Sequence, residues 1–502
     1  MGPAPLGPTE HALVAFRNAF QLGGALVFSW VVALGIRVLL PRHLGPAAFG
    51  FLNFADAFTV TAFVLGAFGV DTYLRKEVPT RPEVATDVYG GILLLRAAAA
   101  LVLFAGIALV MRLTSRPPVV VQLMFLFGLG RLFASVSDTI GAVLHARGRV
   151  DGLSLVNAGS KLLWGFGILV GIATGHALMG VGVAFAVSEG AKACVLQVVA
   201  RRHAGLRVKL DLAATRAAVA ASLPYYVNLI AITAYGRIDV TVLSFTITDE
   251  QELGWYGAGA TLAGLCLLAT PVIGWVLLPL LAKAAAQGRA ALRSTVARSM
   301  EVVLIAAIPT SLFLVLGADL WVRTIFGPAF APAAVPLRIL GSMFVLTYVT
   351  TVSGTCLTVL GRGWLVTGVS TCGLLLTVCL NLLLVGLARG HLAHAPGAAG
   401  AAAALAMLIS ELFVTITMTV SLGAMAFDRR SLGFLLRTAA AVAAVVVLDR
   451  LAVPLGSRRI ALDLVAYAAL MLALRAVRWR EMLQFCRAGL RRAGASGDRE
   501  AA

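Results

Sequence analysis

Residues 119–144 read VVVQLMFLFGLGRLFASVSDTIGAVL, an apolar run interrupted by one cation, Arg131, and one anion, Asp138. About 20 helical residues, rising 1.5 Å each, cross the roughly 30 Å hydrocarbon core of a bilayer, so this run is long enough to span it. Runs of the same kind recur almost without pause from residue 11 to residue 477. The 502-residue chain is 60% hydrophobic and 13% charged, more apolar surface than a water-soluble fold can hide. The bilayer is therefore the solvent, and the expected fold class is an all-α polytopic membrane protein.

Working outward from that run, charged loops, glycines and prolines divide the chain into about fourteen spans. They fall near 11–39, 50–73, 88–111, 119–144, 153–174, 177–200, 217–246, 254–282, 299–325, 335–360, 364–388, 398–424, 432–449 and 460–477. The net charge of +18 is not gathered into a nucleic-acid-binding patch. Outside the spans, most Lys and Arg lie in alternate loops, as in 201–216 with Arg201, Arg202, Arg207, Lys209 and Arg216. Such alternation marks the cytoplasmic side and places both termini there. The first apolar stretch is too long for a cleaved signal peptide. The six cysteines, Cys194, Cys266, Cys356, Cys372, Cys379 and Cys486, form no CxxC pair and have no histidine at ligand spacing, so neither a disulfide framework, a metal nor another cofactor is expected.

Three short matches recur in the same order in the two halves of the first twelve spans. Leu44-Gly45 to Phe49-Gly50 has a counterpart in Leu253-Gly254-Trp255-Tyr256-Gly257. Leu144-His145-Ala146-Arg147-Gly148 is echoed by Leu360-Gly361-Arg362-Gly363, and Ser188-Glu189 by Ser410-Glu411. Parallel repeats of this kind are a transporter signature. The expected domains are a six-helix lobe with its basic linker (1–216), a second six-helix lobe (217–424), two additional spans (425–477) and a cytoplasmic tail (478–502). In that tail, Trp479, Met482, Leu483, Phe485 and Leu490 alternate with arginines from Arg478 to Arg492, which suits an interfacial helix on anionic membrane lipids.

Four stretches carry a family resemblance: Arg42-His43-Leu44-Gly45-Pro46-Ala47-Ala48-Phe49-Gly50; Phe68-Gly69-Val70-Asp71-Thr72 leading to Arg75-Lys76-Glu77; Gly236-Arg237-Ile238-Asp239 leading to Leu253-Gly254-Trp255-Tyr256-Gly257; and Leu360-Gly361-Arg362-Gly363 leading to Leu380-Asn381-Leu382-Leu383. Together with the repeats, which cover most of residues 11–424, the chain resembles the polysaccharide or oligosaccharide flippases of the multidrug/oligosaccharidyl-lipid/polysaccharide exporter superfamily. The resemblance implies two lobes facing a central cavity and transfer of an isoprenoid-diphosphate-linked glycan from the inner to the outer leaflet. Glycan-assembly machinery is the protein partner it implies. Fourteen spans also resemble the lipid II flippases of that superfamily, whereas its drug/cation antiporters usually have twelve.

A charge at mid-bilayer costs about 2.5 to 3.5 kcal/mol on insertion scales, so each deep one must face a partner or a wet cavity. Arg131, Ser135 and Asp138 share a face of span four that either lines a cavity or locks the span to a neighbour. Span seven begins near Pro224, which can kink it, and Asn228, Tyr235 and Asp239 share one of its faces, with Arg237 pointing elsewhere; the family match raises a cavity role for Arg237 and Asp239, although Asp239 near the outer end also suits an interfacial residue. Arg17 in span one and Lys161 in span five are cations able to meet a diphosphate, or else a cytoplasmic anchor and a snorkelling side chain. Glu189 and Lys192 are spaced to neutralise each other, whereas Glu411 has Met407, Leu408, Val414 and Thr415 at i±3 and i±4. Glu411 is therefore the candidate for coupling to a proton or sodium ion. Thr347, Thr351, Thr355 and Thr358 form a stripe on span ten better suited to helix packing than to sugar contact.

A drug/cation antiporter of the same fold is the first rival, disfavoured by spans that are mainly cationic. A polytopic glycan polymerase or ligase is the second. It would need a sizeable outer catalytic loop, and the outer loops here are short, so no enzyme is expected. Reporter fusions or cysteine labelling should place residues 201–216 and 478–502 in the cytoplasm. An outside signal from either segment would overturn the orientation.

Overall fold

The computed structural model describes residues 8–147, 151–247, 249–267, 270–391, 395–426 and 429–474, with side chains from residue 35 on apart from a few positions. The predicted interfacial helix at 478–492 lies outside the described residues. Helices α1 (Pro8–Phe63), α2 (Val70–Glu77), α3 (Glu83–Leu113), α4 (Pro118–Ala146), α5 (Asp151–Ala173), α6 (Ala177–Ala204), α7 (Leu212–Tyr235), α8 (Ile238–Thr246) and α9 (Glu250–Cys266) come first. They are followed by α10 (Thr270–Ala286), α11 (Arg289–Leu316), α12 (Ala318–Ile325), α13 (Ala334–Val359), α14 (Gly363–His391), α15 (Ala398–Leu422), α16 (Arg429–Leu451) and α17 (Arg458–Ala473). No strand occurs among the described residues. Ten helices among them are long and apolar enough to cross a membrane. Each of the fourteen expected spans falls on helix, so the protein is an all-α polytopic membrane protein.

Five expected boundaries differ, each where glycine or proline sits. The loop expected at 40–49 is helical, and only Gly45 (φ 72°, ψ 171°) leaves helical geometry; Pro46 then restarts the helix, a position where its missing N–H costs nothing. Span two ends earlier than residue 73, because Phe68 and Gly69 take positive φ and a new helix, α2, begins at Val70. Span seven breaks at Gly236-Arg237, and Arg237 has φ −142°, ψ −7°. Span eight divides into α9 and α10 around Thr270-Pro271, and Gly317 separates α12 from α11.

The helices gather into two units. The first comprises Met1–Ala258, Ile325–Phe330 and Thr377–Gly400; the second comprises Gly259–Thr324, Ala331–Leu376 and Ala401–Ala502. In lipid no hydrophobic drive separates helix from tail, so close backbone packing at small residues must do that work. Gly167 and Gly171 on α5 meet Ala184 and Gly180 on α6 so closely that a Cβ on Gly171 would lie 2.9 Å from the Gly180 Cα. The first repeat motif shows the same principle. A Cβ on Gly254 would lie 1.9 Å from the Pro46 carbonyl oxygen, and one on Gly50 would lie 2.3 Å from that of Glu250. The two halves of the repeat motif thus pack glycine against backbone.

The basic linker is also docked within the first unit. Leu206 is fully buried with Val70, Tyr89 and Leu196, and Lys209 donates a 2.6 Å hydrogen bond to Asp87. The first unit holds α7, α8 and the start of α9 as well, segments that the repeat assigns to the second lobe. At the end of the first unit opposite that linker in the expected topology, Glu252 accepts hydrogen bonds from the backbone N–H groups of Gly397 (2.5 Å) and Gly400 (3.3 Å). Burial pushes its carboxyl above the ordinary range, while these bonds pull it back.

In the second unit, Ser311 donates to the Gly341 carbonyl (2.8 Å), and Thr350 meets Thr415 (2.8 Å), joining α11 to α13 and α13 to α15. Thr351, Thr355 and Thr358 donate to their own i−4 carbonyls at 2.7–2.8 Å, and Thr347 does so at 3.4 Å. Their hydroxyls are turned inward on the helix, as packing requires.

Candidate functional site

Seven charged side chains meet inside the first unit, drawn from α1, α2, α3, α4 and α6. The site begins at the turn after α1. Positive φ at Phe68 and Gly69 swings the chain into α2, placing Asp71 in that helix's first turn, where the helix dipole favours an anion. Arg96, only 2% exposed in the middle of apolar α3, reaches both Asp71 oxygens at 2.9 Å. It also donates to the Ser135 carbonyl, and to that of Ala67 at 3.3 Å. Thr139 on α4 donates to Asp71 at 2.9 Å. One ion pair, its arginine buried and its carboxylate 21% exposed, therefore ties α2, α3 and α4 together.

Above it on α4, Arg131 pairs with Asp56 of α1 and lies over the Phe185 ring, 5.0 Å from its centroid. Both partners are 29% exposed, in contrast to Arg96. Sequence inspection placed Arg131 on a common face with Ser135 and Asp138 but missed Asp56, Asp71 and Arg96 as site residues. A scan for every ionisable residue within the apolar runs would have flagged all three. Glu189 and Lys192 on α6 form the expected i, i+3 pair at 2.7 Å, 5% and 13% exposed.

Asp138 differs from all of these. It is exposed, and it is within electrostatic reach of Asp71, Glu189, Lys192 and Arg96. An ionised carboxylate facing hydrocarbon would carry the penalty quoted above, so exposure among four charged neighbours makes Asp138 the candidate wall of a wet cleft.

The remaining candidates are dispersed. The break at Gly236-Arg237 removes the continuous face assumed for Asn228, Tyr235 and Asp239: the first two are half-buried on α7, and Asp239 stands in the first turn of α8. Asp239 is buried and accepts a hydrogen bond from Tyr256 of α9, while Arg237 is exposed. Lys161 is exposed on α5, with its ammonium 5.7 Å from the Trp164 ring centroid. The Arg17 side chain lies outside the described residues. Glu411 is 3% exposed on α15, beside fully buried Ser410, and its carbonyl accepts from Thr415 at 2.7 Å.

Apolar helices of spanning length, broken at glycines around a cluster of charges, are the architecture expected of a membrane transporter. A family model described as polysaccharide biosynthesis protein matches residues 15–285, more than half of the chain, and the chain belongs to that family of flippases. No curated protein sequence matches. Among solved structures, it is similar to the lipid II flippase MurJ in an inward closed conformation, with a TM-score of 0.74 and 12% identity over 92% of this chain and 100% of that one. It is also similar to an inward-facing multidrug resistance MATE family transporter of the MOP superfamily, with a TM-score of 0.58 and 13% identity over 79% and 94%. The Vibrio cholerae MATE transporter VcmN in its bent form gives a TM-score of 0.52 at 12% identity over 84% and 100%. The family and fold are those of transporters, not enzymes.

Removing Arg96 takes away the buried partner of Asp71, which is itself 21% exposed and keeps its hydrogen bond from Thr139, so the cost should fall below the roughly 3 to 5 kcal/mol of a fully buried broken pair. Arg96→Ala should still be depleted from membranes, whereas Asp138→Asn, at an exposed position, should reach wild-type abundance. Quantitative immunoblotting of membrane fractions checks both, and equal abundance of the two variants would contradict the assignment.

Proposed function

We propose that this protein carries an isoprenoid-diphosphate-linked oligosaccharide from the inner to the outer leaflet of the bacterial cytoplasmic membrane by alternating access, for surface polysaccharide assembly. Both termini are cytoplasmic in this proposal, and the working parts are the two repeated lobes at 1–216 and 217–424. The observation that carries it is the half-open Arg131–Asp56 pair, two turns along α4 from the exposed Asp138, in a chain of the polysaccharide biosynthesis family.

The charges are nearly balanced: Asp56, Asp71, Asp138 and Glu189 stand against Arg96, Arg131 and Lys192. No excess cation waits for a diphosphate there, so the substrate must exchange partners. Arg131 is placed for this, since its guanidinium is accessible and already shaped to hold two oxygens. A diphosphate would displace Asp56, and the freed carboxylate would be hydrated in the same cleft. Arg96, sealed against Asp71, stays as scaffold. Glu411 is the proposed residue for coupling to a proton or sodium ion, and Arg17, Lys161, Asn228, Tyr235, Arg237 and Asp239 are proposed substrate contacts elsewhere. Membrane lipids and glycan-assembly machinery are the proposed partners.

One observation favours the drug/cation antiporter as a second reading: the exposed carboxylate of Asp138 would suit a cationic guest. The family match weighs against it. Deleting the gene should trap lipid-linked oligosaccharide on the cytoplasmic leaflet, reversed by the wild-type gene and not by Arg131→Ala. Normal surface glycan without accumulation in the deletion strain would refute the proposed substrate class.

A further inference from the structure

The two C-terminal helices have no counterpart in the repeat, yet they bury acidic groups. Asp449 near the end of α16 and Asp463 on α17 are 8% and 3% exposed, and their carboxyl groups lie within hydrogen-bond reach of each other. Arg459 on α17 meets Asp449 at 3.3 Å. Neither oxygen of Asp463 has a hydrogen-bond partner, because two carboxylates offer no proton between them.

Tyr467, one turn beyond Asp463 and 6% exposed, also has a buried hydroxyl without a partner. Asp463 and Tyr467 stand beside a cavity of about 10 Å³ whose open surface is apolar. Its other walls are Leu312, Phe313 and Leu316 of α11 with Val445 and Ile460, so α11 brings no charge to it. The buried groups thus sum to two anions and one cation. An isolated buried charge of that kind is expensive unless it is neutralised.

We propose that Asp449, Asp463 and Tyr467 form a binding site for one small monovalent cation, a proton or a sodium ion, within the two additional helices. One such cation brings the cluster to neutrality. A proton would bridge the two carboxyls as a donor, and sodium would take carboxylate and phenol oxygens as ligands. The expected topology puts Asp449 and Arg459 beside the outer loop 450–459, so the site would take its cation from the outer face. It does not rest on the substrate proposed above.

The test uses the full-length protein, purified in detergent, whose melting temperature is followed in sodium against N-methylglucamine chloride at about pH 8, where an ordinary carboxyl is ionised, and then on acidification at constant ionic strength. The wild type should gain stability in one arm, and Asp463→Asn should lose that gain; the arm that moves tells sodium from proton. Tyr467→Phe should lose the sodium response and keep a proton response. No response in the wild type, or the same response in Asp463→Asn, would overturn the proposal. If Asp463→Asn cannot be recovered folded, the wild type is treated with a hydrophobic carbodiimide. Modification of Asp449 or Asp463 that sodium or raised pH suppresses supports the site, and no modification of either overturns it.

Discussion

An arginine in the middle of an apolar helix cannot be left to the lipid, and Arg96 is the residue around which the first unit is arranged. Its partner has to arrive from another helix, with oxygen acceptors for a fork of donors. Asp71 arrives because the chain turns through positive φ at Phe68 and Gly69, and Thr139 and the Ser135 carbonyl complete the shell. The turn, the first residues of α2 and the register of α4 against α3 all follow from answering that one charge.

The same physics sorts the other charges by exposure. Where solvent is excluded, as at Arg96, which is 2% exposed, an ionic contact is fixed and structural. Where it enters, as at Arg131 with Asp56, a pair costs less to open, because water can take each group as it separates. Asp138 lies at the far end of this range, exposed among its neighbours. A gradient from sealed to open pairs across one helix bundle is what a carrier of a charged headgroup requires: scaffold that does not move and contacts that can be exchanged.

Much of the fold was legible in the sequence because its determinants are local. Apolar runs of spanning length mark the helices and Gly45 lies in an expected break, but the breaks at Gly69, Gly236 and Gly317 fall inside expected spans, and a face that depended on an unbroken span seven went with the one at Gly236-Arg237. Pairings were less legible. Glu189 and Lys192 could be matched because they lie one turn apart on one helix. Arg131 could not be matched to Asp56, since a contact across 75 positions is decided by helix register and rotation, which hydrophobic periodicity does not encode. Arg131, expected either to line a cavity or to lock span four to a neighbour, therefore proved to be already engaged, and substrate exchange, not simple capture, became the mechanism to consider.

The central claim is that the protein alone moves a lipid-linked, diphosphate-bearing glycan between leaflets. Purified protein reconstituted into vesicles with a fluorescent polyprenyl-diphosphate oligosaccharide tests it directly, with a membrane-impermeant quencher reporting the outer leaflet. Protein-containing vesicles should expose the inner-leaflet pool much faster than protein-free ones, and Arg131→Ala should not. Transfer no faster than in protein-free vesicles, under the ion gradients of a living cell, would contradict the account.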